Sequence, residues 1–180
     1  QNFSVATQAG TCTWTFDATP NRNNMDGLTA LSLGTVDAWG DCAVTTRFNS
    51  SGYIDSYDYN VYAADASVPY TAGTEYHFRV VVNIPAHTYS VYVTPEGQSE
   101  VTLATDYAFR LAAGSPSSLN NWACKGEVGT HSISNVSISG GATLTVVQTP
   151  GDCYTITAHD GAVNYWEAKV DIQSGAIYSF

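Results

Sequence analysis

The sequence predicts an all-β protein built as a sandwich of two antiparallel sheets. β-Branched and aromatic residues dominate the 180 residues, which include 12 Tyr but a single Met. Runs of alternating apolar and polar residues recur at short intervals between turns rich in Gly, Pro and Asn. No segment shows the apolar period of a helix. Many short strands without helices are typical of a β-sandwich.

The strands of the first half follow from alternation between turn signals. Cys12, Trp14 and Phe16 alternate with threonines, so they share one face of the first predicted strand. Polar or glycine-containing loops then separate three further apolar runs. The strands predicted in this half are residues 12–16, 28–33, 43–48 and 53–63.

The clearest pattern is a three-stranded meander in the middle of the chain. Its first strand, residues 75–84, places five apolar side chains on one face: Tyr76, Phe78, Val80, Val82 and Ile84. Turns at residues 85–87 and 95–97 contain proline, and the second also contains glycine. We therefore predict that strands 75–84, 88–94 and 100–104 pair in sequence as antiparallel neighbours.

The end of the chain predicts further strands and a boundary. Strands are predicted at residues 122–124, 133–138, 143–147, 153–158, 164–172 and 176–180. The pair Gly140-Gly141 interrupts this series and marks a boundary. We therefore expect one β-sandwich over residues 1–139 and a β-strand extension or small appended module over residues 140–180.

Residues 70–97 resemble the laminin-G/concanavalin A-like family. The run Gly73-Thr74-Glu75-Tyr76-His77 leads into the strand that ends at Ile84, and a hairpin then runs from Thr88 to Gly97. Ser132 to Ile138 resembles the family's closing strand. The resemblance covers residues 1 to about 139 and is to jelly-roll domains of microbial extracellular carbohydrate-active proteins. It implies two curved antiparallel sheets, with sites on the concave sheet or the loop rim, sometimes beside calcium.

The charge composition excludes several classes of partner. Six Lys and Arg stand against 16 Asp and Glu, for a formal net charge of −10. So few cations cannot neutralise a phosphate backbone or an anionic membrane surface, so we expect no nucleic acid partner. No apolar run is long enough to insert into a membrane. Four arginines are also few for a polyuronate, which favours a neutral or weakly charged polysaccharide.

The cysteines predict a secreted, extracellular protein with two disulfides. Cys12, Cys42, Cys124 and Cys153 are widely spaced and form no CxxC pair, which disfavours zinc binding. Three connectivities are possible, and we favour the local pairs Cys12–Cys42 and Cys124–Cys153. Gln1 fits a processed terminus. In a glycosylating host, three sequons would make the protein a glycoprotein, with acceptors Asn2, Asn49 and Asn135.

One group of aromatic and acidic residues predicts a glycan-binding site. Aromatic rings stack on the C–H faces of sugars, while carboxylates and amides bond sugar hydroxyls. The predicted site residues are Trp39, Tyr53, Asp55, Tyr57, Tyr59 and Trp122. The alternative for the tyrosines is a cross-strand ladder that stabilises the sheet. For the two tryptophans, the alternative is that they are buried in the core or packed under a loop.

Catalytic and metal sites are less well defined. No catalytic residue is assigned, because the family's glucanase and lyase patterns are missing. His77 and Arg79 point away from the apolar side of their strand and could join Arg47 in a lyase-like site, or could be solvated strand residues. A lyase needs a His or Tyr base and a cation that neutralises a uronate carboxylate, and the candidate cations are Arg22, Arg47, Arg79 and Arg110. No cofactor is required, but oxygen-rich loops make Ca²⁺ possible, with candidate ligands Asp37, Asp41, Asp55 and Asp58.

Three functions follow, in order of preference. The first is a secreted, lectin-like glycan-binding module. The second is a structural subunit of an extracellular fibre or coat, which self-associates by adding a strand such as residues 176–180 to a neighbour's sheet. The third is a small polysaccharide lyase or glycoside hydrolase, so an enzymatic role is the less favoured expectation.

Overall fold

A computed structural model describes residues 1–140 and, beyond them, the backbone of three strands between residues 143 and 171. Residues 1–140 form eleven strands and two single turns of 3-10 helix. The strands are β1 (Asn2–Gln8), β2 (Thr11–Pro20), β3 (Asp26–Ser32), β4 (Val44–Phe48), β5 (Tyr53–Asp58), β6 (Val61–Pro69), β7 (Tyr76–Asn83), β8 (Thr88–Pro95), β9 (Val101–Ala108), β10 (Leu119–Val128) and β11 (His131–Gly140).

The strands form two antiparallel sheets, which confirms the predicted jelly-roll sandwich. The first sheet has six strands in the order β1-β10-β3-β4-β5-β6, and the second has five in the order β11-β2-β7-β8-β9. The predicted meander is confirmed as the neighbouring strands β7, β8 and β9. Each sheet packs one face on the other, so each also has an outer face.

The core lies between the sheets and is built by the alternating residues of the sequence. Trp14 and Phe16 of β2 are fully buried, and the ring of Phe16 stacks on Phe78 of β7 at 4.8 Å. Phe48 of the six-stranded sheet contacts the edge of Phe78, with 5.9 Å between ring centroids. Alternation with a period of two therefore fixes which face of each sheet packs inward.

Two edge strands depart from the prediction. β1 was not predicted, and most of its side chains are exposed. Residues 53–63, predicted as one strand, form the hairpin of β5 and β6. Tyr59 and Asn60 connect the two strands, and Tyr59 has a left-handed φ of 55°. This turn places β6 back along β5, at the edge of the six-stranded sheet.

The predicted Cys12–Cys42 disulfide is wrong. Cys12 belongs to the core between the sheets, whereas Cys42 packs with Leu28 and Ala30 in a separate apolar cluster. Both thiols are free, and burial raises the pKa of each to about 11, so both are protonated at neutral pH. Cys124 makes no disulfide within residues 1–140. The side chain of Cys153 lies outside the described residues, so the second pairing stays a prediction.

Beyond residue 140, three strands pair with one another. They are β12 (Thr143–Thr149), β13 (Cys153–His159) and β14 (Tyr165–Asp171), in an antiparallel sheet of that order. They match three predicted strands, while the predicted strand at residues 176–180 lies outside the described residues. The domain division at residue 139 stays a prediction. Within the described residues, no helix is long and apolar enough to cross a membrane.

Candidate functional site

A groove lies on the outer face of the six-stranded sheet. Leu31 of β3 is part of the core, so Leu28, three positions earlier on the same strand, points to the opposite face. Arg47 of β4 lies opposite Leu28 in the register and shares that outer face. The groove has a volume of about 510 Å³. Its lining residues are Asp26, Leu28, Trp39, Arg47, Tyr57, Asn60, Val61, Tyr62, Arg110 and Glu127.

A short turn presents Trp39 at the rim of this groove. The backbone N–H groups of Asp37 and Ala38 donate to Oδ2 of Asp41, at 2.9 and 2.8 Å. These two bonds close the turn and lower the pKa of the Asp41 carboxyl. The indole is 36% exposed, and Nζ of Lys125 lies 4.3 Å from its ring centroid. Hydrogen bonds therefore hold the turn that carries Trp39, and its indole ring stays accessible to solvent.

The ion pair of Arg47 and Asp55 lies beside the ring of Tyr62. Nε and Nη2 of Arg47 each donate to a different carboxylate oxygen of Asp55 at 2.8 Å, and Nδ2 of Asn49 donates to Oδ2 of Asp55 at 2.7 Å. Burial disfavours the charged guanidinium, but the bonds and charge of Asp55 outweigh it and raise the pKa of Arg47. The same guanidinium lies 3.3 Å from the Tyr62 ring centroid. The carboxylate of Asp55 therefore already accepts hydrogen bonds from Arg47 and Asn49.

A second arginine stacks on Tyr57. The guanidinium carbon of Arg110 lies 3.4 Å from the Tyr57 ring centroid, and Tyr57 meets Tyr62 edge-on at 4.7 Å. Nη2 of Arg110 donates to the hydroxyl of Tyr62 at 3.4 Å. Tyr89, in the core, anchors the backbone of Tyr57, whose N–H donates to the Tyr89 hydroxyl at 3.1 Å. These contacts hold two arginines and two tyrosines in one row.

The structure brings together only part of the predicted glycan site. Trp39 and Tyr57 line the same groove, whereas Asp55, which bonds to Arg47, lines a neighbouring groove. Tyr53 is 44% exposed but lines that neighbouring groove of about 380 Å³. Tyr59 sits in the β5–β6 turn and is 49% exposed. The predicted alternation of the tyrosines therefore ends at the turn.

Trp122 lies apart from the groove. It pairs in register with Leu31, which faces the core, and only 8% of it is exposed. Its ring stacks on Phe3 at 4.7 Å. This is the core position that the sequence left as the alternative, so Trp122 offers no ring to a ligand in the groove.

The glycan site predicted from the sequence includes neither Tyr62 nor Arg110, although Arg110 is among the arginines named there as partners for a uronate carboxylate. Had Tyr59 and Asn60 been identified as a two-residue turn, Tyr62 would have been placed opposite Tyr57, as the register shows. Arg110 follows β9 in a segment without a periodic pattern, and no local signal points to it.

The lyase candidates lie on the other outer face. His77 and Arg79 alternate with buried residues of β7 and point outward from the five-stranded sheet, away from Arg47. Nδ1 of His77 lies 2.6 Å from Oδ1 of Asp17, and Nδ2 of Asn135 donates to Oδ2 of Asp17 at 2.6 Å. Burial opposes ionisation of Asp17, but these bonds and the charge of His77 outweigh it and lower the pKa of the carboxyl.

Calcium binding stays a prediction. Within the described residues, no group of three His, Cys, Asp or Glu side chains is placed to hold a metal ion. Among the predicted ligands, Asp41 and Asp58 accept backbone N–H bonds, and Asp55 binds Arg47.

The sequon asparagines also have partners. Nδ2 of Asn2 donates to the carbonyl of Val36, and the Nδ2 groups of Asn49 and Asn135 donate to carboxylates. Glycosylation would use one of the two hydrogens on Nδ2 at each position, and it stays a prediction.

Comparisons with known proteins point to carbohydrate-active proteins. No family model matches the chain. A gellan lyase from a Bacillus species is 35% identical over 102 residues, which cover 54% of this chain. This chain spans only 4% of the length of that lyase.

Solved structures that align with this chain include a sialidase and a galectin. The sialidase has a TM-score of 0.53 at 15% identity and covers 77% of this chain, which covers 14% of the sialidase. A tetrameric galectin from the ball sponge Cinachyrella sp. has a TM-score of 0.47 at 13% identity, with 77% and 97% covered. The resemblance to concanavalin A-like jelly-roll domains is confirmed at the level of the fold.

Proposed function

We propose that this concanavalin A-like jelly roll is a carbohydrate-binding module of a secreted protein, and that it holds a polysaccharide in the groove beside Trp39. The observation that carries the proposal is the exposed indole of Trp39, which lines a groove of about 510 Å³ together with hydrogen-bonding side chains. An accessible indole offers a flat apolar face to a sugar ring, and Asn60 and Tyr62 offer polar groups to its hydroxyls.

The comparisons support the same class of function. The gellan lyase relative acts, by its name, on a polysaccharide, which makes gellan the first ligand to test. This chain matches only 4% of the lyase, so the activity of the lyase is not transferred to it. Secretion is part of the proposal, since such a module meets polysaccharides outside the cell.

The two other functions have no favouring observation in the described residues. His77, named for a lyase-like site, lies on the outer face of the five-stranded sheet, away from Arg47 in the groove. Among the described residues that line the groove there is no histidine. The strand proposed for assembly, residues 176–180, lies outside the described residues.

A panel of immobilised polysaccharides tests the proposal. The panel contains gellan, other acidic polysaccharides and neutral ones, and affinity is measured for the wild type and for Trp39→Ala. We expect at least one polysaccharide to bind, and Trp39→Ala to weaken it about 30-fold, which corresponds to roughly 2 kcal/mol.

The matched control is Tyr92→Ala on the outer face of the five-stranded sheet, where the ring of Tyr92 stacks with Arg79. This variant should bind like the wild type. The proposal fails when no polysaccharide binds, and the site fails when Trp39→Ala and Tyr92→Ala have equal effects. Thermal unfolding of each variant verifies that the fold persists.

A further inference from the structure

We propose that the groove selects acidic polysaccharides, and that the guanidinium of Arg110 binds the carboxylate of a uronic acid. The inference rests on the proposed function, and it names the ligand class of the same groove.

Arg110 is a buried charge at the lining of the groove. Only 7% of the residue is exposed, and among the described residues it is the one buried cation. Its backbone N–H donates to the carbonyl of Ala43 at 3.1 Å, and its guanidinium stacks on Tyr57. The side chain is therefore held in place before any ligand arrives.

This charge has no carboxylate partner within the part of the chain that the structure describes. Arg47 pairs with Asp55, and Arg79 pairs with Glu100, each through two hydrogen bonds. Arg110 has no ion pair, and its buried Nε has no hydrogen-bond partner among the described residues. A buried charge without a counter-charge is unfavourable, which is a reason to look for one in a ligand.

A carboxylate is the group that best complements this side chain. A guanidinium fork donates two parallel hydrogen bonds to the two oxygens of a carboxylate. Because Nε of Arg110 is buried, the two Nη groups would donate these bonds to a ligand. A neutral sugar would leave the charge without a counter-ion. Sites built for a polar group reject analogues that lack it much more strongly than apolar pockets reject small changes.

The charges around the groove permit one anion at this position. Asp26 and Glu127 line the groove and would repel an anion, but Asp26 lies 3.7 Å from Arg47, and Glu127 pairs with Lys125. Arg47, Arg110 and Lys125 thus place three of the chain's six Lys and Arg around this groove. The net charge of −10 repels polyanions from the rest of the surface. We therefore expect the protein to bind one carboxylate of an acidic polysaccharide rather than several at once.

The test compares each acidic polysaccharide with its own neutral form. Alginate, polygalacturonate and gellan are used before and after chemical reduction of their carboxyl groups, with carrageenan as a sulfated polysaccharide and xyloglucan as a neutral one. We expect at least one of the three to bind, and its reduced form to bind at least tenfold more weakly. Arg110→Met should weaken binding of the acidic form by a similar factor and leave the reduced form unchanged.

Two further variants separate a role in binding from a role in folding. Arg110→Lys keeps the charge but loses the fork, so it should keep the fold and bind the acidic polysaccharide with intermediate affinity. Arg79→Met, on the outer face of the other sheet, should bind like the wild type.

The inference is overturned when carboxyl-reduced and acidic forms bind equally, or when carrageenan binds as tightly as the carboxylated polysaccharides. It is also overturned when Arg110→Lys binds the acidic form like the wild type. Binding to xyloglucan alone overturns this inference but leaves the proposed function standing. Binding to no polysaccharide overturns both.

Discussion

The outer faces of the two sheets use the same residue types in different ways. On the five-stranded sheet, Arg79 bonds both carboxylate oxygens of Glu100, at 3.0 and 2.6 Å, and stacks over Tyr92. At the groove on the six-stranded sheet, Arg110, from the segment after β9, also stacks over a tyrosine, Tyr57, but no described carboxylate lies within ion-pair distance of it.

Burial is the second difference between these faces. The side chains of Arg79 and Glu100 are 35% and 39% exposed, whereas those of Arg47 and Asp55 are 18% and 11% exposed. Exposed pairs are screened by water, but partly buried pairs depend on each other for solvation. The comparison teaches that residue types alone do not distinguish the two faces. The face that carries the proposed site is the one where charges are desolvated and one guanidinium has no described carboxylate partner.

Removing the carboxylate from each of the two arginine pairs should give the largest difference in stability between the two faces. Asp55→Ala leaves the guanidinium of Arg47 partly buried without its main partner, so we expect the free energy of unfolding to fall by about 3 kcal/mol. Glu100→Ala removes an exposed partner and should cost less than about 1 kcal/mol. Chemical denaturation of the two variants measures both values. Equal losses would mean that the two faces do not differ in desolvation.

The sequence predicted the strands that have one buried and one exposed face. In β7, residues Tyr76, Phe78, Val80 and Val82 are buried and alternate with more exposed ones, and this segment was predicted to within a residue or two. β1 was missed because its side chains are exposed on both faces, so it shows no alternation. β6 was merged with β5 for the same reason.

The site was only half predictable, because it depends on contacts between distant segments. Trp39 was found as an aromatic residue in a loop, and Tyr57 as part of an alternating run. Trp122 looks similar in the sequence, yet its register with Leu31 turns it into the core. Arg110 comes to the groove from the end of β9, 53 positions from Tyr57 (110 minus 57), a pairing that no local pattern encodes.

The number of arginines and their placement lead to different expectations about the ligand. Few arginines favoured a neutral or weakly charged polysaccharide over a polyuronate. The structure shows that one of the four, Arg110, is buried at the groove without a described counter-charge. Recognition of one carboxylate needs one desolvated guanidinium rather than a surface of positive charge.

The guanidinium of Arg110, which has no described ion pair, should also have a measurable effect on stability. Arg110→Met removes a buried cation that has no described ion pair and keeps much of the apolar contact with Tyr57. We expect the free energy of unfolding to stay equal or to rise by about 1 kcal/mol. Denaturation in the absence of polysaccharide tests this. A loss of more than about 1 kcal/mol would identify Arg110 as a structural residue and weaken the contrast with Arg79.

The smallest effect is expected on the outer face of the five-stranded sheet, in the pH dependence of stability. The folded protein lowers the pKa of the Asp17 carboxyl from its ordinary value of 3.8. The stability that this gives is present above that ordinary value and is lost as the pH falls through the folded value. Asp17→Asn lacks this contribution, so its difference in unfolding free energy from the wild type should shrink between pH 5 and pH 2.

His77→Gln is the matched variant for this measurement. It removes the cationic neighbour of Asp17 but keeps the hydrogen bond from Asn135, so part of the pH dependence should remain. A pH dependence equal to that of the wild type would assign the lowered pKa to Asn135 alone. Because Asp17 has two partners within the fold, this face needs no ligand to satisfy its charges, and neither variant should change polysaccharide binding.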